Sequence, residues 1–130
     1  MVARLREAMA ETLAGWESDL PAMWRAALGP VGDDFGRVDP DLDFEAWEPI
    51  FPARRGKIFP GQPKGAHALA AFDGISPDHV KCMILGQDPY PCAAFATGRA
   101  FEAGNVARWR ELEKMFSKSI RTWLQLVVAA

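Results

Sequence analysis

The sequence predicts an α/β domain in which a short parallel sheet is flanked by helices. A run of six mostly apolar residues, Val80–Leu85, includes the β-branched Val80 and Ile84, which is typical of a strand buried on both faces. Apolar residues spaced three and four apart near both ends of the chain indicate amphipathic helices. The 130 residues allow one domain, with helices in 1–28, a loop-rich stretch in 29–65, and the strands and final helix in 66–130.

The composition is that of an ordinary globular protein, with 49% hydrophobic and 25% charged residues. No window approaches the roughly 18 consecutive apolar residues that a membrane span requires. The first residues lack the apolar core of a secretion signal. We therefore expect a cytoplasmic, monomeric protein without membrane contact.

The charge is unevenly distributed along the chain. Residues 1–80 carry 8 Lys or Arg and 13 Asp or Glu, whereas residues 81–130 carry 7 Lys or Arg and 4 Asp or Glu. The net charge of −2 argues against a nucleic-acid binder, but a local basic face is enough to follow a few phosphates. Composition alone favours the alternative, a solvated helix with mixed charges.

Five helices are predicted from periodicity and from helix-ending residues. The first covers residues 2–20, and a second starts near Asp19–Pro21 and ends before Gly29. Shorter helices are predicted over 41–47 and 66–73. A long final helix is predicted to start at Asn105, a good N-cap, and to run nearly to the end, with a break at 117–119. Many prolines and glycines make 29–65 irregular.

A polar turn follows the apolar run directly, with the sequence Gly86-Gln87-Asp88-Pro89-Tyr90. Prolines fix φ and remove backbone donors, so they stiffen this turn. An acid at the carboxyl end of a buried parallel strand lies where open α/β sheets place their ligand sites. Asp88 is therefore a candidate functional residue.

The same turn resembles the water-activating loop of the main family of uracil-DNA glycosylases. Ten residues after Pro91 stands Phe101, in a segment, Gly98-Arg99-Ala100-Phe101, similar to the family's Gly-x-Ala-Phe segment. The resemblance covers about residues 45–125. The resemblance implies a partial three-layer α/β/α fold with a short parallel central sheet. It also implies a function in base-excision repair, in which the N-glycosidic bond of deoxyuridine in DNA is hydrolysed without a metal or cofactor.

The chemistry of that reaction gives each matched residue a role. Breaking the sugar–base bond builds positive charge on the sugar, so a carboxylate beneath the sugar stabilises the cation and holds the attacking water. On the resemblance, Asp88 is that catalytic carboxylate and Gln87 supports the uracil. Tyr90 excludes the C5 methyl of thymine, and Phe101 stacks on the base once it is flipped out of the helix.

Each of these residues also has an ordinary structural interpretation. Asp-Pro is a common turn opener, because the Asp side chain bonds its own following backbone. Tyr90 alone fits a half-buried surface aromatic, and Phe101 alone fits a core residue. Taken together behind an apolar run, they favour the functional interpretation.

The chain also departs from the family pattern. Pro91 stands where the family usually has His, and Glu102 stands where it often has Ser. The family's later uracil-reading Asn and later His-Pro-Ser segment have no counterpart, so we expect a chain truncated at its C-terminus. The family's DNA-pinching loop has no match near 103–107, and no residue is assigned to it.

Two other functions compete with the glycosylase interpretation. One is a non-catalytic nucleic-acid-binding or interaction module derived from the same fold. The weaker one is a small nucleotide-binding α/β protein, which the sequence disfavours because it has no Gly-rich phosphate loop. The basic run 54–57 is interpreted as a solvated turn in preference to a phosphate contact, and Cys82 is expected in the core.

Overall fold

The computed structural model describes residues 1–29, 31–32, 34–45, 48, 50–86, 90–108, 111 and 118–129. Within these residues the architecture is mixed α/β, with helices, one two-stranded sheet, 3₁₀ turns and long loops. None of the described helices is long and apolar enough to cross a membrane. The elements are β1 (Val2–Arg4), α1 (Leu5–Leu13), α2 (Ala22–Leu28), β2 (Asp43–Glu45) and α3 (Lys118–Ala129).

Strands β1 and β2 pair antiparallel, with Ala3 opposite Phe44. The predicted helix over 41–47 is wrong, since β2 occupies residues 43–45. The local sequence Asp43-Phe44-Glu45 alternates polar, apolar and polar residues, which is the period of a strand, and only Phe44 is partly buried. The predicted parallel sheet is not supported, because the sheet of the described residues is this antiparallel pair.

The single helix predicted over 2–20 is divided into three pieces. Residues 2–4 join the sheet, α1 ends at Leu13, and a 3₁₀ turn spans Trp16–Asp19. Gly15 adopts φ +67°, the left-handed conformation that commonly ends helices. The apolar periodicity continues through this break, so periodicity alone did not reveal it.

Helix α2 confirms its prediction and anchors the chain to residues 70–79. The Pro21 carbonyl accepts hydrogen bonds from the amides of Trp24 and Arg25 at 2.9 and 3.0 Å. Trp24 is buried, its ring meets Phe72 edge-on at 4.8 Å, and its Nε1 donates to the Ile75 carbonyl at 2.7 Å. One aromatic side chain thus attaches α2 to the segment that leads into the apolar run.

The helix predicted over 66–73 is reduced to one 3₁₀ turn, Ala70–Phe72. The amide of Leu69 donates to His67 Nδ1 at 3.3 Å, so that donor is taken by a side chain and not by a helical carbonyl. Small residues dominate the buried core of the described part of the chain. Its apolar members are Leu20, Trp24, Ala53, Ala66, Ala70, Ala96 and Ala103.

The strand predicted over Val80–Leu85 is not formed in the described structure. Met83 and Leu85 are 70% and 90% exposed, and Cys82 is exposed, contrary to its predicted place in the core. A strand is stabilised by pairing with neighbours, and no described residue pairs with this run. The second predicted strand, 100–102, is a turn whose flanks meet in an isolated bridge between Ala96 and Ala103.

Helix α3 replaces part of the long helix predicted to start at Asn105. Residues 106–108 are not helical, and 109–110 and 112–117 lie outside the described residues. The break predicted at 117–119 is not found at Lys118 and Ser119, which are helical, and residue 117 lies outside the described residues. Leu126 and Val128 on this helix are 65% and 85% exposed.

Candidate active-site cleft

A cleft of about 740 Å³ opens between residues 68–75, the apolar run and residues 96–101. Gly86, Tyr90 and Phe101 all line it, so the structure brings the two sequence motifs to one concavity. Its volume lies in the range of small-molecule sites. Gln87 and Asp88 lie outside the described residues, and their roles stay predictions.

Tyr90 forms a partly buried wall of the cleft. Its ring meets Phe95 edge-on, with ring centroids 6.4 Å apart and planes at 90°. Burial raises the pKa of the Tyr90 phenol, because the charged phenolate would lose hydration. The side chain therefore presents a fixed and uncharged ring at neutral pH.

Phe101 lines the cleft from a backbone conformation that is rare for its residue type. Its φ of +63° lies in the left-handed region, where a bulky side chain is a genuine outlier. Its ring stacks on Trp123 of α3, with centroids 6.2 Å apart and planes at 12°. Outliers of this kind persist only where the surrounding structure holds them, and they cluster at functional sites.

The surrounding structure is the 96–103 arc, the turn that carries Phe101 between the bridged residues Ala96 and Ala103. The Thr97 hydroxyl is buried inside it, accepts from the Arg99 amide at 3.2 Å and donates to the Glu102 carbonyl at 3.4 Å. Outside it, Arg99 Nη1 lies 3.2 Å from Glu102 Oε2. Glu102 thus helps to close the arc.

Glycine is required where the arc meets the core. Gly98 has φ +88°, and a Cβ there would lie 1.8 Å from the His67 carbonyl oxygen and 3.2 Å from Ala70 Cβ. No side chain fits that approach, so the main chain of the arc lies directly on the main chain of His67. This contact explains the glycine of the Gly98–Phe101 motif in physical terms.

The basic run at 54–57 is an exposed turn at residues 55–57, as the sequence favours, whereas Arg54 is largely buried in an ion pair. Arg54 Nε and Nη2 lie 2.9 and 3.0 Å from Asp19 Oδ2 and Oδ1, in a pair of which both side chains are largely buried. The hydrogen bond from Arg54 lowers the pKa of the Asp19 carboxyl and outweighs the opposing effect of burial. The same bond raises the pKa of the Arg54 guanidinium.

Arg55 extends this network from Asp19 to Asp73. Its amide donates to Asp19 Oδ2 at 2.9 Å, and its Nη2 donates to Asp73 Oδ1 at 2.6 Å. Burial acts to raise the pKa of the Asp73 carboxyl, yet the hydrogen bonds from His67 and Arg55 together lower it. Sequence reasoning missed these pairs, because their members lie 18 to 36 residues apart and follow no motif.

The known proteins to which the chain is similar include several uracil-DNA glycosylases. The uracil-DNA glycosylase of Mycobacterium tuberculosis is 34% identical over 100 residues, which cover 73% of this chain and 38% of that protein. That of Mycobacteroides abscessus is 35% identical over 85 residues, or 65% of this chain and 33% of that protein. Uracil-DNA glycosylase 1 of Streptomyces avermitilis is 34% identical over 90 residues, or 67% and 34%.

No family model and no solved structure matches the chain. These relatives, and the two motifs that meet at the cleft, relate the chain to the DNA glycosylases. More narrowly, the chain belongs to the uracil-DNA glycosylase family. It spans 38% or less of the length of these relatives.

Proposed function

We propose that this chain acts in base-excision repair as the N-terminal part of a uracil-DNA glycosylase domain, hydrolysing the N-glycosidic bond of deoxyuridine in DNA. One observation carries the proposal. Tyr90 and Phe101, which come from the two motifs of the family resemblance, line the same cleft together with Gly86. The relatives that bear the name uracil-DNA glycosylase support the same activity.

In this proposal Asp88 is the catalytic carboxylate. It stays ionised, stabilises the positive charge that develops on the sugar and orients the attacking water. Gln87 supports the extruded uracil. The reaction needs no metal or cofactor in this scheme, because the carboxylate and water supply the nucleophile.

Tyr90 and Phe101 bind the flipped base. An uncharged Tyr90 ring, fixed against Phe95, suits a wall that refuses a methyl group at the C5 edge. Trp123 stacks on one face of the Phe101 ring and is not among the residues that line the cleft. The ring face toward the cleft then remains available for stacking on a base.

The three-layer fold with a parallel central sheet also belongs to this proposal, in which Val80–Leu85, unpaired among the described residues, forms a central strand only where neighbouring strands pair with it. Its support is the apolar character of the run and the 90% exposure of Leu85, which an added strand would cover. Amide hydrogen exchange over 80–85 tests it. Slow exchange supports a paired strand, and unprotected exchange contradicts one.

A monomer that works in the cytoplasm completes the proposal, with uracil-containing DNA as its partner. Support for the DNA partner comes from the relatives' names. Sedimentation at several protein concentrations tests the monomer. A mass that rises with concentration would contradict it.

Incubation of the chain with uracil-containing single-stranded DNA tests the activity. Abasic sites that form with the wild type and not with Asp88→Asn support the glycosylase. Binding of the DNA by both forms without abasic sites supports the alternative, a non-catalytic nucleic-acid-binding module. Absence of both binding and turnover rejects the two together.

A further inference from the structure

His67 is a buried polar residue to which the proposed reaction assigns no role. Its side chain is 2% exposed, and both ring nitrogens have partners. Nδ1 accepts from the Leu69 amide at 3.3 Å, so the ring hydrogen lies on Nε2 and is donated to Asp73 Oδ2 at 2.8 Å. The imidazole is therefore fixed in both position and tautomer.

The Asp73 carboxylate that receives this bond is itself held in place. Its other oxygen accepts from Arg55 Nη2 at 2.6 Å, and the same nitrogen donates to the Asp19 carbonyl at 3.1 Å. Asp19 in turn is held by Arg54. The His67 ring is thus the last member of a chain of charge-assisted hydrogen bonds, which are among the strongest that proteins make.

The backbone of His67 meets the 96–103 arc on its other side. The Gly98 main chain lies so close to the His67 carbonyl that no Cβ fits between them. That carbonyl also accepts from the Ala70 amide at 3.0 Å. Any shift of residue 67 therefore moves the surface against which the arc rests.

We propose that His67 is a positioning residue for Phe101. Through Asp73 its ring fixes residue 67, residue 67 supports Gly98, and the arc then holds Phe101 in its left-handed conformation at the cleft wall. The consequence for catalysis rests on the proposed function. The consequence for the arc does not, since it follows from the contacts alone.

A different role would be general stability, in which His67 fills the core without directing the arc. The two roles differ in where the effect of a substitution appears. A purely structural residue changes the free energy of unfolding and loosens the whole molecule, whereas a positioning residue loosens the arc more than the rest.

The experiment compares three variants with the wild type. His67→Ala removes both hydrogen bonds, and His67→Gln keeps a nitrogen donor for Asp73. Arg6→Ala is the stability control, because Arg6 donates to the carbonyls of Gly36 and Val38 and lines no part of the cleft. For each protein we measure stability by urea unfolding and amide exchange over residues 97–103. We also measure the Kd and the single-turnover rate with uracil-containing single-stranded DNA.

We expect exchange over 97–103 to accelerate by about tenfold in His67→Ala, the factor for a lost hydrogen bond of ~1.4 kcal/mol. The Kd for the DNA should rise by a similar factor, with little change in the rate of the bound complex. His67→Gln should recover most of both effects. Arg6→Ala should lose stability without faster exchange in the arc.

Unchanged exchange over 97–103 in His67→Ala, or an equal acceleration in Arg6→Ala, would overturn the proposal. If His67→Ala does not fold, Asp73→Asn, which keeps the side-chain size and weakens the same hydrogen bonds, gives the decisive comparison. If the wild type neither binds nor cleaves uracil-containing DNA, the proposed function fails. The exchange data still decide the role of His67 in that case.

Discussion

Phe101 and Trp123 stack with their ring centroids 6.2 Å apart and their planes within 12° of parallel. Phe101 lines the cleft, whereas Trp123 is not a lining residue, although Ser119 of the same helix, α3, is. The arc and α3 therefore hold Phe101 from two sides. This contact connects α3 to the proposed base-binding wall.

Replacing Trp123 with Ala should weaken binding of uracil-containing single-stranded DNA. An aromatic pair contributes about 0.5–1.5 kcal/mol beyond its buried area, so we expect Kd to rise by roughly two- to tenfold. Fluorescence anisotropy of labelled DNA measures it. Leu126→Ala, on the same helix but 65% exposed, is the control and should leave Kd unchanged. Tighter binding by Trp123→Ala would show that Trp123 blocks the ring instead of supporting it.

Replacing Tyr90 with Ala should let the chain release thymine from DNA, because the space for the C5 methyl is no longer filled. We expect the preference for uracil over thymine to fall by about 10- to 200-fold. Tyr90→Phe keeps the ring and should keep the preference. Product analysis with paired uracil and thymine substrates measures both. Equal loss of preference in the two variants would assign the effect to the hydroxyl and contradict a steric wall.

Replacing Gly98 with Ala should destabilise the protein much more than the same change at Gly56. Both glycines have positive φ, +88° and +87°, but a Cβ at Gly56 meets no atom within 4 Å, whereas at Gly98 it meets the His67 carbonyl. Gly56→Ala should cost only the backbone strain of roughly 1–2 kcal/mol. Urea unfolding gives the difference, and equal costs would contradict the close approach.

The protein should lose stability in acid through Asp19 and Asp73. Both carboxyls have a lowered pKa in the folded state, so their stabilising effect is present above the unfolded pKa of about 3.9 and is lost as pH falls through the folded values. Urea unfolding between pH 7 and pH 2 measures this.

Arg54→Ala should lower the free energy of unfolding at pH 7 by roughly 3 kcal/mol, because it leaves the buried Asp19 carboxylate without its main partner. The variant should also show a weaker loss of stability in acid. Arg37→Ala is the control, since its pair with Asp34 is exposed and 4.0 Å long, and it should change stability by less than about 1 kcal/mol. If the free energy of unfolding falls equally steeply with decreasing pH in the wild type and in Arg54→Ala, this account is contradicted.

The local features of the fold were predictable where single residues determine them. Pro21 and Gly29 bound α2 because one favours a helix start and the other ends the helix, and the structure agrees. The strand at Val80–Leu85 was not predicted correctly, because apolar composition shows what a segment can bury and not whether partner strands are present. Only the described contacts reveal that Leu85 is exposed.

The sequence motifs predicted part of the candidate site, but not the contacts that support it. The motifs placed Tyr90 and Phe101 near one ligand, and both line the cleft. The support beneath them was not predictable. His67 and Asp73 follow no recognised spacing, and Arg54 and Arg55 find acids far away in sequence, so only three-dimensional packing brings these charges together.

Single-turnover excision of uracil from single-stranded DNA by the wild type and by Asp88→Asn tests the central claim most directly. Asn keeps the size of the side chain and removes its charge, so urea unfolding should be unchanged. The account predicts abasic sites from the wild type and a rate lower by about 100-fold or more in the variant. Equal rates in the two proteins, or no excision by a wild type that is folded, would contradict it.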